Sequence, residues 1–126
     1  MHPQTAEQLS GLNSSQLLYK LDELRDAAMK IGYDHAEAEK KFKDLKELMP
    51  SFLAEYQAHY SGPGVNATTA RAKALADKGY QDKIREMNIA EYEARLLEVE
   101  YKGLMKSIEA LTSISYVRNS ELRLAR

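Results

Sequence analysis

Apolar residues recur along this chain at alternating steps of four and three. The positions reached from Leu17 are Leu21, Leu24, Ala28, Ile31, His35, Ala38, Phe42, Leu45, Met49, Phe52, Tyr56 and His59, and eleven of the thirteen are apolar or aromatic. A period of 3.5 held over this span marks a supercoiled helical seam, whereas a strand would alternate by two. The pattern predicts a helix over 14–60. Asn13 or Ser14 supplies its cap, and Gln16, three residues after Asn13, suits a capping box. Gly32 costs about 1 kcal/mol against alanine but is accommodated. Pro50 removes one backbone donor, and because the seam stays in phase across it, a kink near Pro50 is expected. The helix ends at "YSGPG". There Gly62 is expected in the left-handed C-terminal conformation, and Pro63 cannot continue the helix.

The second half reads the same way after a loop over 61–67. Asn66, Thr68 or Thr69 caps a short helix over 68–77, ending near Lys78–Gly79. A long helix follows over 80–124. Its seam is Met87, Ala90, Ala94, Leu97, Tyr101, Leu104, Ile108, Leu111, Ser115, Arg118, Leu122 and Ala125. A second stripe, Ile89, Tyr92, Leu96 and Val99, is expected to widen the buried face. Two long helices of matched length around a glycine-bearing connection predict an all-α fold, a long antiparallel helical hairpin with a short helix in the connection. Residues 14–126 form a single helical domain in this reading, and residues 1–13 form a flexible N-terminal tail. Two helices alone bury little of such wide stripes, so self-association into a helical bundle or ring is expected. The oligomer interface is expected at Leu21, Leu24, Ile31, Phe42, Leu45, Phe52, Leu97, Leu104, Ile108 and Leu111.

Charge changes this picture locally. The net charge is −1, which removes the bulk basic excess of a simple nucleic-acid binder. Yet Arg71, Lys73, Lys78, Lys83 and Arg85 face only Asp77 and Asp82 within 68–85, and residues 86–100 set five glutamates against Arg95. A further basic group, Lys102, Lys106, Arg118, Arg123 and Arg126, outnumbers Glu109 and Glu121 after 101. Repeated around a ring, modest basic patches bind a polyanion through multivalency. The bland reading is an ordinary solvated helix face. Tyr60 lies beside the basic group and can stack a base, although tyrosines in a seam more often serve as core or interface. The candidate nucleic-acid-binding residues are therefore Arg71, Lys73, Lys78, Lys83, Arg85 and Tyr60.

Other chemistry has little support. The chain has no cysteine, hence no disulfide framework and no thiolate metal site. The glycine-bearing loop lacks GxxxxGK[ST] and follows no strand, which argues against a nucleotide-binding loop. His35 and His59 share the first seam, but Gly32 and Tyr56 occupy the places that a Glu-x-x-His metal pair would need. A register-setting polar position is the expected role of His35, with protonation below about pH 6.5 loosening the assembly. No GxSxG elbow is present. We expect no enzyme, no cofactor, no catalytic residue and no metal. No apolar run approaches the ~20 residues of a membrane span, and the N-terminus lacks the regions of a signal peptide. A soluble cytoplasmic protein without membrane partners is expected.

The order of these elements is similar to a known family. His59-Tyr60-Ser61-Gly62 at the end of a long helix, a glycine-bearing loop, the short helix "ARAKALADKGY" and a long C-terminal helix resemble the UvsY-like recombination mediators of bacteriophages. The resemblance covers residues 17–126 as architecture. It implies a non-enzymatic, ring-forming homo-oligomer that binds single-stranded DNA. It also implies partnership with a recombinase, loaded onto strands coated by single-strand-binding protein, in the host cytoplasm. Family members can place basic residues on the turn before Tyr-Ser-Gly. Here that stretch is Ala54-Glu55-Tyr56-Gln57-Ala58. The competing reading is a structural or protein-binding helical module, such as a phage assembly factor or an inhibitor of a host complex, with no nucleic-acid binding.

Overall fold

The computed structural model describes residues 11–124. The first ten residues of the expected tail, Ala125 of the second seam and Arg126 of the C-terminal basic group lie outside the described residues. The fold is all-α, with three helices packed against each other: α1 (Ser14–Tyr60), α2 (Ala67–Ala76) and α3 (Lys78–Leu124).

Each helix boundary has a local cause. At the start of α1, the Asn13 N–H donates to Gln16 Oε1 and the Gln16 N–H donates to Asn13 Oδ1, both at 2.9 Å. This reciprocal pair satisfies two amides that have no intrahelical partner. Pro50 lies inside α1, which continues through it. The Ser61 hydroxyl closes α1 by donating to the Gln57 carbonyl at 2.8 Å. The Val65 N–H then donates to the Gly62 carbonyl at 3.1 Å. Gly64 is the glycine with positive φ, at 79°, not Gly62. A type II turn explains the difference: Pro63 presets the first central residue, and the second must take a φ that only glycine adopts cheaply. Asn66 caps α2, its side chain accepting from the Thr69 N–H at 2.7 Å.

Between α2 and α3 stands one residue, Asp77, rather than a break at Lys78–Gly79. Its N–H donates to the Ala74 carbonyl at 3.1 Å, which closes α2. Its Oδ1 accepts from the Gly79 N–H at 2.7 Å, with Tyr80 N–H at 3.4 Å, which opens α3. Gly79 therefore lies in the first turn of a helix. A Cβ there would come within 2.9 Å of the Tyr56 ring and 3.0 Å of Asp77 Oδ1, so the glycine serves close approach.

The chain divides into two compact units. One takes the described residues up to His35 and from Leu96 onward; the other takes Ala36–Arg95. In the first unit, Leu17, Leu21, Leu24 and Ala28 of α1 form a buried cluster with Leu104 and Leu111 of α3. The Arg118 guanidinium donates to the Leu12 carbonyl, and the Tyr101 ring lies where a side chain on Gly32 would go. In the second unit the buried apolar residues are Phe42, Tyr80 and four alanines, Ala70, Ala74, Ala90 and Ala94. Small side chains at such positions let one helix backbone approach another closely.

These placements revise parts of the seam reading. Leu21, Leu24, Phe42, Leu104 and Leu111, expected at an oligomer interface, are buried inside the single chain. Ile31, Leu45, Phe52, Leu97 and Ile108 are half-buried. His59 is exposed, as is Leu122. The second stripe does not widen the buried face: Ile89, Tyr92, Leu96 and Val99 are 52%, 65%, 52% and 71% exposed. α3 spends its seam on intramolecular packing, and the flank that carries the stripe is left to solvent.

Candidate interaction surfaces

Tyr60 and Asp77 are joined at the α2–α3 junction. The Tyr60 hydroxyl donates to Asp77 Oδ2, so one residue closes α2 through its backbone N–H, while its carboxylate opens α3 and anchors the last residue of α1. This hydrogen bond lowers the Asp77 pKa, with further lowering from the Gly79 and Tyr80 amides and from His59, against an opposing desolvation. The same bond raises the Tyr60 pKa. The Tyr60 ring meets His59 edge-on, with centroids 5.2 Å apart. Nearby, Tyr56 meets Tyr80 at 6.1 Å in a T-shaped contact. The seam pattern does not mark Asp77; its signal is local, an aspartate two residues before a glycine amide, which is a common helix cap.

The five candidate cations do not act alike. Lys83 Nζ lies 5.0 Å from the Phe52 ring centroid and 3.7 Å from Glu86, and Arg85 pairs with Asp82 at 3.2 Å. Arg71 and Lys73 on α2 and Lys78 at the start of α3 are exposed. These three make no ion pair among the described residues. Short-range helix pairs of the Lys83 and Arg85 kind contribute little to stability but do neutralise charge. Of these five cations, Arg71, Lys73 and Lys78 are the three that no carboxylate pairs among the described residues.

The second unit also carries an open apolar groove of about 780 Å³. Met49, Pro50 and Leu53 of α1 face Tyr80, Ile84 and Met87 of α3 across it, with Lys46 and Arg71 on its rim. Beyond it on α3, the stripe from Ile89 follows steps of three, four and three, which keep one face of a helix. Glu91 and Glu93 flank Tyr92, are exposed and make no ion pair among the described residues. Among the described residues no three His, Asp or Glu side chains converge at the spacing of a metal site. No described helix is long and apolar enough to cross a membrane. No family model matches the sequence, and no curated protein and no solved structure matches it, so its reading rests on these surfaces.

Proposed function

We propose that this chain is a non-enzymatic helical assembly module: an antiparallel hairpin of α1 and α3 that works as a homo-oligomer. One observation carries the reading. The stripe Ile89, Tyr92, Leu96 and Val99 stays exposed although the chain has already buried a leucine core of its own. Contiguous apolar surface of this kind marks a protein interface. The hairpin is supported within each unit by pairings that run in opposite order along the chain, Leu12 with Arg118 and Gly32 with Tyr101 in one, Glu39 with Arg95 and Phe52 with Lys83 in the other. Light scattering of the purified protein tests the reading. A mass above the 14.3 kDa of one chain at micromolar concentration is expected. A stable monomer overturns it.

A second reading, binding of single-stranded DNA as a recombination mediator, is favoured by Arg71, Lys73 and Lys78, exposed and without ion-pair partners among the described residues. The resemblance to the UvsY-like mediators points the same way. Tyr60 fits it less well as a stacking platform, because its hydroxyl is held by Asp77. Titration with a labelled oligonucleotide at increasing salt tests this reading. The affinity then falls with a log–log slope of about −0.7 per phosphate contact, whereas a module that binds only protein leaves the oligonucleotide free at low salt.

A further inference from the structure

We infer that assembly is head-to-tail: the apolar groove of the second unit in one copy receives the Ile89–Val99 stripe of the next. This rests on the reading of the chain as a homo-oligomer and names its two contacting surfaces. The lengths agree. The groove follows α1 from Lys46 to Gln57, and the stripe follows α3 from Ile89 to Val99. At 1.5 Å per residue they span about 17 Å and about 15 Å. The chemistry agrees as well. Met49, Leu53, Ile84 and Met87 give the groove the apolar lining that an amphipathic helix face needs. Lys46 and Arg71 stand on its rim, while Glu91 and Glu93 flank the stripe. Arg71, Glu91 and Glu93 have no ion-pair partner among the described residues, so docking brings together charges that one chain leaves uncompensated.

Groove and stripe are different patches of one chain. Such a contact is heterologous, and it propagates to a closed ring or an open filament rather than stopping at a symmetric dimer. Two capped variants test this. The groove variant is Met49→Glu with Leu53→Glu; the stripe variant is Ile89→Glu with Tyr92→Glu. Each is followed by light scattering, with circular dichroism to check that helix is retained. Each variant alone is expected to be a monomer, and their equimolar mixture a dimer that grows no further, because each chain keeps one working surface. A groove variant that still associates, as stripe-to-stripe pairing would give, overturns the inference, as does a mixture that stays monomeric.

The rim provides an independent pair of variants on exposed positions, which keeps the test valid if the groove variant loses helix. Lys46→Glu with Arg71→Glu, and Glu91→Lys with Glu93→Lys, each lower the oligomer mass alone. Mixed, they restore the wild-type mass, because reversed rim meets reversed stripe. Failure of the mixture to restore it overturns the inference. A monomeric wild type, by contrast, overturns the assembly reading itself.

Discussion

Asp77 shows how much of this fold hangs on one side chain. Its carboxylate must be ionised to accept from Tyr60 and from the Gly79 and Tyr80 amides together. Its pKa lies below the ordinary 3.8. A depressed carboxyl stabilises the fold above its unfolded pKa, and that stabilisation is lost as pH falls through the folded value. Thermal melts should therefore lose stability between about pH 5 and pH 2, and Asp77→Asn should show a lower midpoint at neutral pH with a smaller acid-induced loss. An Asp77→Asn protein with wild-type acid sensitivity contradicts the assignment. Two glycines make a second prediction at this scale. Gly64→Ala forces a left-handed φ on alanine with nothing nearby to clash, and should cost about 1–2 kcal/mol in chemical denaturation. Gly79→Ala drives a methyl against Tyr56, itself packed on Tyr80, and should cost about 1–3 kcal/mol.

At the scale of the element, α3 carries two faces with different duties. Its inward face holds Leu104 and Leu111, which are almost fully buried against α1. Leu111→Ala leaves a cavity there and should cost about 2–5 kcal/mol of unfolding free energy. The stripe on its flank is exposed, so Ile89→Ala should change stability by less than about 0.5 kcal/mol in dilute solution while weakening association. Denaturation and light scattering on the two variants separate the roles. Equal stability losses would place the stripe inside the chain's own packing. α2 differs again: its buried residues are Ala70 and Ala74, and Asn66 and Asp77 fix its ends. It presents Arg71 and Lys73 more than it contributes core.

For the whole molecule, the predictions concern what assembles and what is bound. Changing Arg71, Lys73 and Lys78 to glutamate should abolish any oligonucleotide binding without unfolding the protein, since all three are exposed. Arg71 also stands on the groove rim, so the same variant should lower the oligomer mass. Lys73→Glu with Lys78→Glu spares that rim and should weaken oligonucleotide binding alone. A variant that keeps full oligonucleotide affinity would remove the basic cluster from consideration.

The sequence by itself determined the elements. A seam of period 3.5, the Asn13–Gln16 capping box and the stretch "YSGPG" are local signals, acting within a few residues, and they fix where α1 runs and where it ends, although not that Gly64 rather than Gly62 takes the positive φ. Which apolar face goes inside is not local. The seam residues and the Ile89 stripe have similar side chains, and a one-dimensional pattern cannot rank two faces of one helix. Only tertiary packing decided that Leu104 and Leu111 are buried and Tyr92 is exposed, because covering a face requires another helix to reach it. The same holds for Asp77, whose partner Tyr60 lies seventeen residues away along the chain and comes within hydrogen-bonding reach only once the turn has closed.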